Sequence, residues 1–413
     1  MNLTPEKRRM LEGEYGYTIQ KAMEILVGLG ECYDADEFIP VQSAHLSANN
    51  PVSIGDPGIR FIRELAEKEG RFLIFTDTNP ITVLPQKFRE IPSQEEWSQK
   101  QKTILDVYSK MGAFLANTCT PYLIGHLPQF GQHVAWSESS ATVFANSILG
   151  ARTNREGGPS AIAAALIGET PAYGMHLAEK RLGSIEISVQ MVLKGVADFG
   201  TLGYFAGNLA QDGIPVFTGI TPPVSLEELK MLSAACATAG SVNMFHIVGL
   251  TPEAPSLEAV SKNKKKGLES VQFDKKQLRQ TEEILSSAET SDVDLVIFGC
   301  PHCSIQEISY IASFLNGKKV NSEVSLWILT SKIIKGYARN MGLLKIIEDA
   351  GGMVIGDGCQ NILPSGFFKS QGVRNIATDS AKLSYYQRNL QNVHVHYGST
   401  QRCINAAING IWR

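Results

Sequence analysis

The sequence predicts an α/β protein of several domains built on parallel sheets, and three observations predict it. Its 413 residues, 43% hydrophobic and 19% charged, amount to about two to three ordinary domains with enough apolar surface for a large core. From residue 214 onward, β-rich runs alternate with helical segments, an order that demands crossovers and parallel pairing. Polar residues gather just after several of these runs, where open α/β sheets bind ligands.

Taken in order, Gly16 to Glu31 places Ile19, Ala22, Met23, Ile25, Leu26 and Leu29 close to a 3.6-residue period, the mark of an amphipathic helix. Short strands are expected at Glu37 to Val41 and Arg71 to Thr76. Each ends in polar residues, Gln42 to His45 and Asp77 to Pro80, which are either plain turns or ligand loops. A second amphipathic helix covers 96–115 and leads into the polar turn Asn117-Thr118-Cys119-Thr120-Pro121-Tyr122. Residues 131–160 are rich in Ser, Asn, Thr and Gly and carry Arg152 and Arg155. So polar a segment cannot be a simple core helix; it is a solvated loop or it lines a polar cavity.

Strands follow at Ile214 to Thr218 and Asn243 to Val248, flanking a helix from Ser225 to Ala239 that opens with the capping pattern Ser225-x-x-Glu228. Residues 256–284, with the run Lys262-Asn263-Lys264-Lys265-Lys266, read as a solvated surface insertion. The runs Val293 to Phe298, Val324 to Leu329 and Met353 to Ile355 complete a βαβαβ order. The domains expected are 1–212, holding Cys119 and the polar segment, 213–359, holding Cys300 and Cys359, and a carboxyl-terminal stretch, 360–413, packing back on the site.

Several function classes are disfavoured. With 38 basic and 41 acidic residues and a net charge of −3, no basic surplus exists for nucleic acid. No apolar run approaches the roughly 18 to 20 residues that cross a bilayer, and Met1 to Tyr17 is charged rather than signal-like. A cytoplasmic protein is expected. Seven cysteines, at 32, 119, 236, 300, 303, 359 and 403, are too few and too irregular for a disulfide framework.

Two of the later β-runs end in cysteine: Gly299-Cys300-Pro301-His302-Cys303 and Gly356-Asp357-Gly358-Cys359. Parallel strands with right-handed crossovers put their carboxyl ends on one edge, so Cys300 and Cys359 should lie near each other there. Cys300-x-x-Cys303 alone fits a redox pair, half of a zinc site or a pair of cluster ligands. A zinc site lacks its second pair, and a thioredoxin motif suits a much shorter chain. A three-cysteine iron–sulfur cluster needs one further thiolate, which Cys119 could supply. Cys32, Cys236 and Cys403 read as small buried thiols. His45 and His302 stand beside strand ends and could donate hydrogen bonds to a substrate or cluster.

At these residues the chain resembles a family. The segments GEYGYTIQKAMEIL, NTCTPYLIG, WSESSATVFANSILGARTNREGGPSA, FHIVGLTPEAP and FGCPHCS are similar to the catalytic subunit of aconitase X, a branch of the aconitase superfamily, over nearly the whole chain. LLKIIEDAGGMVIGDGC more distantly resembles the aconitase segment leading into a cluster-binding cysteine pair, although position 362 is Ile. The resemblance implies an aconitase-like α/β/α architecture and a [4Fe-4S] cluster with one open iron, held by Cys119, Cys300 and Cys359, with Cys303 as the fallback ligand. It implies a hydro-lyase: the open iron acts as Lewis acid on a departing hydroxyl, while a base removes a proton from the adjacent carbon.

In two-component members that base lies on a swivelling domain carried by a separate small polypeptide, so the chain is expected to be the large subunit of a heteromer. Such members dehydrate (R)-5-phosphomevalonate to trans-anhydromevalonate 5-phosphate on a mevalonate route to isoprenoids; others dehydrate cis-3-hydroxy-L-proline. The segment 154–158 looks closest to the first type. An anionic substrate would engage Ser137, Ser139, Ser140, Arg152, Asn154, Arg155, Glu156 and Lys382. For Asn154 to Glu156 a buried structural ion pair is the alternative, and for Lys382 a surface lysine. A non-catalytic iron–sulfur protein or RNA-binding regulator is the alternative of another class, and the charge balance argues against it.

Overall fold

The computed structural model describes residues 1–82, 94–261 and 267–413. These form two compact units, residues 1–82 with 94–182, and residues 183–261 with 267–413. Among the described residues no helix is long and apolar enough to cross a membrane.

In the first unit, β1 (Phe38–Pro40), β2 (Ser43–Leu46), β3 (Phe75–Thr78), β4 (Ala135–Trp136) and β5 (Glu169–Pro171) make two small sheets. One is the antiparallel pair β1–β5; the other is parallel, in the order β3-β2-β4. Helices Tyr17–Cys32, Pro51–Glu67 and Gln94–Met111 present apolar faces to a shared core built on Leu26, Ile62, Ile104 and Tyr108. Helix Gly158–Ile167 is buried along Ser160 to Leu166. It is apolar all round, as a helix enclosed by other elements must be.

The second unit continues with β6 (Ile185–Val189), β7 (Pro215–Thr218), β8 (His246–Ile247) and β9 (Glu269–Phe273), then β10 (Leu295–Phe298), β11 (Ser325–Thr330), β12 (Met353–Gly356), β13 (Asn375–Thr378) and β14 (His394–Tyr397). They form two wholly parallel sheets, ordered β8-β7-β6-β9 and β12-β11-β10-β13-β14. Helix Leu226–Ala239 starts with the expected capping box, Ser225 and Glu228 each bonding the other's backbone. It lies close against helix Gly195–Ala210 because Gly203 and Gly207 face it. A Cβ on Gly203 would stand 2.6 Å from the Leu232 carbonyl oxygen, and one on Gly207 would stand 2.8 Å from that of Cys236.

The structure departs from the sequence reading in several places. The strand expected at 71–76 begins only at Phe75, where pairing with Ser43 starts. Phe72 and Leu73 instead bond the Met111 and Ala165 carbonyls. The strand expected at 243–248 shortens to His246–Ile247. Residues 131–160 are no solvated loop: they hold β4, helix Ser139–Phe144 and a single π turn, Ala145–Leu149, and are largely buried. The surface insertion expected at 256–284 supplies strand β9 and helix Lys275–Leu285, while its Lys262–Lys266 run lies outside the described residues. The chain divides after residue 182 rather than 212, because β6 pairs with β7 and β9. Residues 360–413 are no separate segment; β13 and β14 complete the sheet of β10.

Candidate active site

In the first unit, the carboxyl ends of β2 and β3 carry a buried polar web. Asp77, with no exposed surface, accepts from His45 Nδ1 at 2.7 Å through one oxygen and from His126 Nδ1 at 3.0 Å through the other. His126 Nε2 meets Ser43 Oγ at 2.6 Å. His45 Nε2 lies 3.2 Å from Asn79 Oδ1, and the Asn79 amide donates to Glu138 Oε2 at 2.8 Å, which fixes its orientation. Both His45 nitrogens therefore face acceptors, the arrangement of an imidazolium. Burial pushes the His45 pKa down, but the charge of Asp77 and its hydrogen bond outweigh that and raise it. Burial likewise pushes Asp77 up, and the His45 charge with the hydrogen bonds from both histidines holds it below the ordinary carboxylate value. Glu138 caps helix Ser139–Phe144.

Of the expected substrate residues of this unit, Ser137, Ser139 and Ser140 join that web, whereas the hydrogen bonds of Arg152, Asn154 and Glu156 go to other segments. Ser137 Oγ donates to the His45 carbonyl and accepts from the Ser47 amide, both at 2.7 Å. Ser139 and Ser140 hydroxyls donate to Glu138 Oε1 at 3.3 and 3.0 Å. Arg152 donates to the His176 carbonyl, and Asn154 bonds the Tyr173 carbonyl and the Met175 amide. Arg155 is half-buried. Glu156 is buried and takes the Ser160 and Thr170 hydroxyls; burial raises its pKa against those bonds. Burial, followed by the charge of its neighbour His133, takes His176 down to about 3, so this imidazole is neutral. Cys119 is half-buried; the Asn117 amide and side-chain oxygen and the Thr118 backbone amide bond Thr78 at the end of β3.

In the second unit, β10 and β12 flank β11, and the Cys300 and Cys359 loops follow their carboxyl ends. The loops interlock: His302 Nε2–H donates to the Gly358 carbonyl at 2.8 Å, and the Asn361 amide donates to Cys300 Sγ at 3.3 Å. Three carbonyls of the Cys300–Cys303 turn are taken by side chains from other elements. Ser380 Oγ donates to that of Cys300, Lys230 Nζ to that of His302 at 3.0 Å, and Thr330 Oγ1 to that of Cys303 at 2.7 Å. Lys230, only 1% exposed, also pairs with Glu307. Burial works to lower its pKa, yet the Glu307 carboxylate and neighbouring anionic groups raise it, so the ammonium stays charged. Gly299, at φ 97°, makes the turn into Cys300, and a Cβ there would overlap the Leu329 carbonyl oxygen.

Beside this turn lies a cavity of about 510 Å³ lined in part by Lys194, Glu227, Cys300, Cys303, Glu307 and Asp379. Burial lifts Asp379 to about 7 although Thr400 donates to it at 2.6 Å. Lys382, two residues into the helix that Ser380 caps, is 8% exposed and so is no surface lysine. None of the seven cysteines is in a disulfide. Among the described residues no three His, Cys, Asp or Glu side chains converge on a point that would hold a lone metal ion. A cluster is a larger body whose cysteine ligands stand apart, and thiolates are the donors that suit it. Two interlocked cysteine loops, one sulfur already accepting an amide N–H, fit such a group.

Sequence reasoning missed Asp77, His126, Glu138 and Lys230 as members of these networks. Asp77 was legible only as part of a polar strand end. Lys230 carried no mark at all, because its helix reads as an ordinary capped one.

Two parallel-sheet units, each with a buried, charged web at a carboxyl edge, define an α/β enzyme scaffold. The chain belongs to the aconitase X family: the family's first, second and third domains match residues 1–179, 183–283 and 293–409. Similar proteins include the phosphomevalonate dehydratase large subunit of Methanothermobacter thermautotrophicus, 42% identical over 92% of each chain. That of Methanocaldococcus jannaschii is 38% identical over 98% of this chain and 99% of its own. The cis-3-hydroxy-L-proline dehydratase of Hypocrea jecorina is 32% identical over 99% of this chain and 69% of its own. A crystal structure of Thermococcus kodakaraensis aconitase X in its holo-form, 40% identical, matches with a TM-score of 0.89 over 98% of this chain and all of that one.

Proposed function

We propose that the protein is the large subunit of a hydro-lyase that dehydrates (R)-5-phosphomevalonate to trans-anhydromevalonate 5-phosphate, working with a small subunit that bears the swivelling domain and the base. The observation that carries this reading is end-to-end similarity to large subunits of that name, at 42% and 38% identity, against 32% for the hydroxyproline enzyme, about a third of whose length lies outside the match. Cys119, Cys300 and Cys359 are the proposed ligands of a [4Fe-4S] cluster with one open iron. When bound, the cluster supplies a Lewis acid for the departing hydroxyl.

The chain's own residues do the rest of the positioning. The Asn361 amide donates to the Cys300 sulfur, and hydrogen bonds of this kind tune thiolate ligands. Arg152, Asn154, Arg155 and Lys382, with the hydroxyls of Ser137, Ser139 and Ser140 and the carboxylate of Glu156, are the groups proposed to orient the anionic substrate. In the net reaction a C–O bond and the C–H bond on the neighbouring carbon break, the C–H electron pair becomes a carbon–carbon double bond, and the hydroxide and proton leave as one water, with no external oxidant or reductant.

The test is co-expression with the small subunit under anaerobic conditions, followed by side-by-side incubation with both substrates. Brown protein that removes water from phosphomevalonate is the expected result. Turnover of cis-3-hydroxy-L-proline alone refutes the substrate, and a colourless preparation with full activity refutes the cluster.

A further inference from the structure

Lys230 is not among the residues expected at the site, yet it is a charged contact of the cysteine turn. Its ammonium projects from helix Leu226–Ala239, buried, onto the Glu307 carboxylate and the His302 carbonyl. Glu307 in turn accepts from the Ser304 amide at 2.7 Å, and Ser304 Oγ donates to Glu227 Oε1 at 2.8 Å. Helices Leu226–Ala239 and Ile305–Leu315 are thereby strapped together where the second one begins, directly after Cys303. A buried ion pair of this sort is seldom worth more to stability than well-packed apolar side chains of similar volume. Its use must be sought in what it orients.

What it orients is a circuit. Lys230 holds the His302 carbonyl; the His302 ring holds the Gly358 carbonyl, one residue before Cys359; and Asn361, two residues after Cys359, returns to the Cys300 sulfur. Fixing the His302 backbone sets the direction of its ring, and with it the spacing of the two loops.

We infer that Lys230 is a positioning residue for the Cys300 and Cys359 sulfurs, acting through the His302 backbone and ring rather than as a contact of substrate or iron. The inference rests on the cluster reading above. Outer partners of this kind are worth about 10- to 100-fold in metal retention.

The test compares wild type, K230M and the double variant K230M/E307M, each assembled with the small subunit and reconstituted anaerobically. Iron and sulfide per chain are measured, then the decay of the visible absorption on addition of a chelator. The double variant leaves no buried charge alone, so it keeps the question open to test even where K230M folds poorly. The expected result is that both variants lose the cluster at least about tenfold faster than wild type, while the cluster-free double variant loses no more stability than the about 1 kcal/mol that removing the Glu307 arm of its helix's capping box costs. A control, L232A, loosens the same helix and leaves the decay rate near wild type. Wild-type decay in the double variant overturns the inference, for the lysine then only neutralises Glu307. Accelerated decay in L232A matched to its drop in melting temperature overturns it too, as a general effect of instability. A wild-type complex that takes up no iron overturns the cluster reading itself, and the inference with it.

Discussion

Asp77→Asn offers the sharpest test of the web in the first unit. Asp77 receives two charge-assisted hydrogen bonds, at 2.7 and 3.0 Å, with no exposed surface. Bonds to charged groups contribute about 1.5–3 kcal/mol each, and breaking one side of a buried pair costs about 3–5 kcal/mol. Asparagine keeps one acceptor but turns an amide N–H toward the other imidazole, so a loss of about 3 kcal/mol is expected. Hydrogen exchange of the β2 and β3 amides reads this locally, and about 3 kcal/mol quickens exchange through opening of the unit by about two orders of magnitude.

The pH dependence adds a signature. His45 is raised in the folded state, so its contribution is whole below its unfolded pKa of about 6.5 and fades as pH rises through the higher folded value. Asp77 is lowered, so its contribution is whole above its unfolded pKa of about 4 and fades as pH falls through the lower folded value. Protection in the wild type should therefore decline on both sides of a plateau, and D77N should flatten the profile. A loss under about 1 kcal/mol with an unchanged profile would refute the imidazolium–carboxylate assignment.

Further outcomes follow from single residues. Gly299→Ala combines a left-handed backbone with an overlap at the Leu329 carbonyl; iron content after reconstitution should fall and thermal stability should drop by about 2 kcal/mol or more. Ser225→Ala removes one arm of a capping box and should lower stability by about 1 kcal/mol, seen as a lower melting temperature with iron content unchanged. C119S, C300S and C359S should each abolish a stable cluster by iron analysis and visible spectrum, whereas C303S should keep it; cluster loss in C303S with retention in C119S would reassign the third ligand.

What could be read from the sequence depended on how completely each element buries its own pattern. β10 to β12 are apolar runs covered on both faces, and such strands announce themselves. β9, Glu-Ser-Val-Gln-Phe, is an edge strand with only Phe273 buried, so its sequence looks like the solvated stretch beside it. The run at 71–76 misled because its apolar residues serve different ends: Phe72 packs on the core, whereas Leu73 is 70% exposed. At the site, cysteines at strand ends were legible because parallel topology alone gathers them. The webs were not, since Asp77 with His126 and Lys230 with His302 meet across 49 and 72 residues of chain through side-chain geometry that no local pattern encodes.

The strand order of the larger sheet also has a temporal side. β10 takes β11 as its first neighbour, but its second, β13, comes after β12 in the chain. Ser380, which closes the Cys300 turn, is 80 residues downstream. During synthesis from the amino terminus the flank of β10 thus stays open, and the Cys300 turn incomplete, while the Cys359 loop is already emerging. A ribosome-bound chain stopped short of β13 would carry Cys300 and Cys359 in an unfinished setting, so the Cys300 turn is completed only in the last stage of the protein's making.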